Sequence, residues 1–89
     1  MKTKQFLSEA IRLSDTDRQK DYGDKTKNHN NIARLWSAYL DIKIEAHDVA
    51  IMMALLKMAR TKLGAVSKDT YIDMSAYSSI AGEIKFGGK

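Results

Sequence analysis

The sequence predicts an all-α protein folded as a compact bundle of about four helices. Three observations predict it. No proline occurs among the 89 residues, so nothing locks the backbone out of helical geometry from within. Runs of β-branched residues are few, and five methionines supply unbranched, adaptable side chains suited to helix packing. The apolar positions also recur at spacings of three and four rather than two.

The first helix is expected from about Thr3 to Leu13, with Thr3 as N-cap and Phe6, Leu7, Ala10, Ile11 and Leu13 on its apolar side. A polar segment follows, DTDRQKDYGDKTKNHNN, spanning about 15–30 without any periodic apolar signal. A loop that long in so small a domain is functional or disordered. The second helix is expected over about Asn30 to Asp41, where Ile32, Leu35, Trp36, Tyr39 and Leu40 recur at i, i+3, i+4, i+7 and i+8. Trp36 and Tyr39 are read there as core, with a ring lining a pocket as the alternative.

The longest apolar stretch, Glu45 to Leu63, is expected to be the central helix, with Ile44 packed ahead of it as a hydrophobic staple. At about 100° per residue, Val49, Met52, Leu55, Leu56, Ala59 and Leu63 share one face, widened by Ile51, Met53 and Met58. A wedge through Ala50, Lys57 and Thr61 is left for solvent. Gly64 is expected to end this helix as a C-terminal glycine does, and the last helix runs from about Lys68 to Phe86. The short connection makes the two an antiparallel hairpin.

The totals bound the function classes. One modest core is possible at this length, so residues 1–89 read as a single domain. No cysteine means no disulfide framework and no thiolate metal site. The basic N-terminus lacks an uninterrupted apolar h-region, and Val49–Leu56, the longest uncharged stretch, is far shorter than the roughly 20 residues of a membrane span. These features predict a cytoplasmic protein without a membrane partner. A net charge of +4 suits an anionic partner, either a phosphorylated small molecule or nucleic acid, though the cations are spread along the chain rather than gathered on one helix.

Several polar groups fall where a bland core would have none. Asp69 and Asp73 lie on the same stripe of the last helix as Ala76, Tyr77, Ile80 and Ile84. Matching levels across the hairpin places Lys57 near Asp73 and Arg60 near Asp69 to Asp73. One reading is an interhelical ion network that fixes register. The other is a ligand site, with Lys57 and Arg60 on phosphate oxygens and Asp69 and Asp73 orienting them or holding magnesium. Glu45 and Asp48 read as first-turn acids that offset the helix dipole, the alternative being a cation site completed by Glu83. His29 and His47 lack zinc spacing and read as capping or surface histidines. Tyr22 beside Gly23, close to Arg18, could stack on a base while the guanidinium meets a phosphate. No catalytic nucleophile and no Gly-rich phosphate loop is present. Ser75, Ser78, Ser79 and Gly82 form a small-residue face on the last helix and predict a homo-oligomer.

The series Arg18 with Tyr22-Gly23, Asn28-His29 with Trp36, Lys57 with Arg60, and Asp69, Asp73 and Tyr77 resembles a family of small phage-encoded proteins known as a domain of unknown function. The likeness extends over roughly residues 18 to 84. It implies a phage origin, an all-helical fold, and functional weight on the ten of these residues other than Gly23. More distantly, the acidic pairs are similar to MazG-type all-alpha nucleoside triphosphate pyrophosphohydrolases, which hold magnesium with an ExxE and an ExxD helix. Here Glu45-Ala-His-Asp48 is one ExxD, the second pair is Asp69 and Asp73 at i, i+4, and no ExxE is present.

The preferred expectation is therefore a protein that binds a phosphorylated nucleotide for a phage, sequestration of a host immune signal being one form of this, with no cofactor. Magnesium-dependent hydrolysis of a nucleoside triphosphate, with magnesium as its cofactor, is the second reading. Nucleic-acid binding and a purely structural or interaction role are the others.

Overall fold

The computed structural model describes residues 1–14, 24–64 and 67–87. They form four helices, α1 Thr3–Arg12, α2 Lys25–Leu40, α3 Ala46–Leu63 and α4 Lys68–Phe86. No described residue lies in a strand. α3 and α4 make the hairpin the sequence implied. α4 also carries α1, and α3 carries α2.

Each end has a local cause. The amide of Lys2 donates to Gln5 Oε1 ahead of α1, so the cap falls one residue before Thr3. α2 begins five residues earlier than the apolar pattern suggests, because Asp24 accepts a 3.0 Å bond from the Lys27 amide and caps it. Residues 25–30 are thus helical, and the expected loop is shorter at its C-terminal end. α2 stops where Asp41 turns left-handed, at φ 56°. Ser37 secures the connection to α3, its hydroxyl accepting from the Ile44 amide at 2.8 Å and donating to the Ile44 carbonyl at 3.2 Å. Glu45 and Asp48 cap the start of α3 reciprocally: Asp48 Oδ2 accepts from the Glu45 amide, and the Glu45 carboxylate from the Asp48 amide. Gly64 is extended (φ 175°) rather than left-handed. At the end of α4 it is Gly87 that takes φ 52°.

Two small clusters form the core. Ala10 of α1 meets Ile72 and Ala76 of α4, with Phe6 and Leu13 packed on them. Phe6 also meets the Tyr71 ring edge-on, 6.4 Å between centroids. Ala50 of α3 meets Ile80 and Ala81, with Tyr77 and Ile84 alongside. One register unites the hairpin, since Ala50 lies against Ile80 and Lys57 against Asp73.

α3 buries Val49 as expected, but its core face is turned toward the Ala50 side. Ala50, assigned to solvent, is fully buried, and Lys57 and Thr61 are half-buried. Met52, Leu55, Leu56 and Ala59, assigned to the core, are exposed. The cause is Ala46, Ala50 and Ala54, spaced i, i+4, i+8. Small side chains let α4 approach closely, and packing follows that row rather than the bulkier one. α2 is turned too. His29 and Ala33 are buried and Ile32 and Trp36 half-buried, whereas Leu35 and Tyr39 are exposed, Tyr39 to 88%. Leu7 and Ile11 of α1 are exposed as well.

Candidate functional site

The ten residues singled out from the sequence do not converge on one place. Arg18 and Tyr22 lie outside the described residues. Lys57 and Asp73 do meet, Nζ to Oδ2 at 3.1 Å, with only 17% and 13% of their side-chain surfaces exposed. Tyr77 lies one turn further along α4, half-buried against the Ala50 cluster. Arg60 and Asp69 are exposed, and no ion pair joins them. Asn28 is on the outside of α2. His29 is buried rather than a surface residue, its Nδ1–H donating to the Lys25 carbonyl at 2.7 Å. Trp36 is half-buried.

The acidic trio is also regrouped. Glu45 and Asp48 come together, but with His47: their ligating atoms all lie within 4.8 Å of one another, and His47 Nε2 is 3.4 Å from Asp48 Oδ1. Glu83 does not belong to the group. It pairs with Lys25 across α2 and α4 at 3.2 Å.

A different site emerges beside this cap. Thr26, Asn30, Ala33, Arg34 and Ser37 recur at helical spacing and present one flank of α2. That flank faces the Lys43–His47 turn and, across it, Ile84 and Lys85 near the end of α4. The walls enclose a groove of about 730 Å³. Arg34, Lys43 and Lys85 stand around it, and none forms an ion pair with a described residue. Glu45 is the one carboxylate among the lining residues, and it accepts from the Asp48 amide. Three cations thus face one engaged carboxylate. Such a wall attracts phosphate or carboxylate oxygens.

None of the eight described residues expected to bind ligand lines this groove. Its three cations were nevertheless marked in the sequence, because none has an acid at i±3 or i±4 to neutralise it. Arg12, by contrast, has Glu9, 3.1 Å away.

A four-helix domain with a cationic groove and no described helix long and apolar enough to cross a membrane is the class that fold and site define. Residues 5–85 match the model of a family described as a domain of unknown function, DUF6378. The chain belongs to that family. It is 39% identical over 76 residues to the Gene 55 protein of Mycobacterium phage L5, covering 84% of this chain and 49% of that protein. To the Gene 55 protein of Mycobacterium phage D29 it is 41% identical over 73 residues, 82% of this chain and 48% of that protein. The chain therefore spans about half the length of the curated relatives it matches, and it is a phage-type protein of a family without an assigned function. No solved structure matches it.

Proposed function

We propose that this protein binds a phosphorylated nucleotide, with the ligand's phosphates in the groove between α2, the start of α3 and the end of α4. The observation that carries the reading is the convergence of Arg34, Lys43 and Lys85 on one groove, none of them in an ion pair with a described residue. Cations left unpaired together are poised for an anion. Thr26 and Asn30 add hydroxyl and amide groups able to meet phosphate or sugar oxygens.

Binding without turnover fits the acids better than hydrolysis does. Glu45 and Asp48 are engaged in the cap, and Glu83 holds Lys25. On this reading the protein sequesters a nucleotide, a host immune signal being one candidate, in the cytoplasm of an infected cell. A MazG-like hydrolase would need its magnesium carboxylates released from these bonds.

The test is thermal unfolding against triphosphates, cyclic dinucleotides and ADP-ribose derivatives, with and without magnesium. A ligand at a hundred times its Kd adds about 2.7 kcal/mol, on the order of 10 °C for a domain this size. The shift should vanish in Lys43→Ala and Lys85→Ala, and the ligand should be recovered intact. A panel without any shift, or a shift indifferent to both substitutions, would overturn the proposal. Metal-dependent release of pyrophosphate would instead establish the hydrolase.

A further inference from the structure

The outward side of α3 is an apolar surface that nothing in the described chain covers. Met58, Ile51, Leu55, Ala59, Met52 and Leu56 follow one another around about 160° of the helix, and all six are exposed. The five large ones are between 37% and 55% exposed. No charge interrupts the arc between Ile51 and Ala59. Together these side chains present roughly 450 Å² of apolar surface, as much as the largest patch on a typical monomer. A standard interface buries about 800 Å² per partner, somewhat over half of it apolar. One α3 face therefore supplies the apolar part of one such interface. The chain's own core is correspondingly thin, Val49 being the largest side chain buried completely.

The charges at the two ends of the arc identify the occupant. Asp48 stands seven residues before Leu55 and Lys62 seven residues after it. At helical pitch both lie within about 20° of the Leu55 line and roughly 10 Å along the axis from it. Asp48 keeps 43% of its side-chain surface exposed, and Lys62 is exposed. We propose that the α3 face binds a second copy of this chain, α3 against α3 and antiparallel, with the two-fold axis at Leu55. Asp48 of each copy then faces Lys62 of the other, twice, as an isologous contact requires. Ile51 meets Ala59, and Met52 meets Met58. A parallel pairing would instead oppose acid to acid and base to base.

Light scattering or sedimentation at working concentration tests this. The expected mass is twice the 10.0 kDa of one chain, falling to one chain in Leu55→Glu. Because Leu55 is already 55% exposed, that variant keeps its helical circular dichroism as a monomer. Lys62→Glu should weaken the dimer by roughly tenfold or more, and Asp48→Lys with Lys62→Glu should recover it. Helicity is followed in parallel because Asp48 also caps α3. A wild-type monomer, or a dimer indifferent to Leu55→Glu, would overturn the proposal. A charge swap that fails to recover the dimer while helicity is kept would overturn the antiparallel register.

Discussion

Replacing Asp73 with Asn strands the Lys57 ammonium in the α3–α4 seam, and the loss should exceed that of the reciprocal change. The pair is 3.1 Å long, and its side chains keep 17% and 13% of their surface in water. Breaking a fully buried pair costs about 3–5 kcal/mol; residual exposure reduces this to about 2 kcal/mol here. At 4–8 °C per kcal/mol for a domain of this size, the midpoint falls by about 10 °C. Lys57→Met keeps the aliphatic stem, and Asp73 retains another interaction, so about 1 kcal/mol is expected. In the double variant no charge is left to desolvate, and the two losses should overlap by about 1–2 kcal/mol. Urea unfolding followed by circular dichroism, at one protomer concentration for all four proteins, measures that overlap. Strict additivity, within about 0.5 kcal/mol, would refute the reasoning that the two charges stabilise the seam as a pair.

Ser37→Ala removes the hydroxyl that accepts from the Ile44 amide and should cost about 1–2 kcal/mol, with faster hydrogen exchange at Ile44; unchanged exchange would mean the α2–α3 turn holds without it. Asp24 is held below its ordinary 3.8, chiefly by the Lys27 amide bond, so its cap contributes fully above the unfolded carboxylate range and is lost as pH falls through the folded pKa. An NMR titration of its carboxyl with a midpoint at or above 3.8 would contradict this, and Asp24→Asn, which caps without titrating, should remove the dependence.

The number, order and type of the helices were legible, because periodicity over ten or more residues is a strong signal. So was the Lys57–Asp73 contact, which follows from a short loop and a fixed rise per residue. The start of α2 was not. Its first six residues carry no apolar pattern, and only the Asp24 cap marks them as helical. The cationic groove was hidden for another reason. Arg34, Lys43 and Lys85 come from three elements, and no local spacing brings them together. Their lack of helical acid partners was visible, but it acquires meaning only once the fold sets them around one space.

The faces of α3 show why its orientation was not legible in the sequence. A wheel ranked by hydrophobicity sends the bulky row, Met52, Leu55 and Leu56, inward and the Ala50–Lys57 wedge outward. Packing inside one chain follows distance of approach instead: Ala50 meets α4, and Lys57 is tolerated in that seam because Asp73 meets it. A helix with one small-residue face and one bulky face can use both, the first within the chain and the second between chains. The bulky face is flanked by an acid and a base at equal distances from Leu55; Asp48 also caps α3 and meets His47, and on the proposed dimer its exposed part faces Lys62 of an inverted copy. If Leu55→Glu leaves the mass unchanged, that symmetry is accidental, and the exposed row must be explained by a different partner.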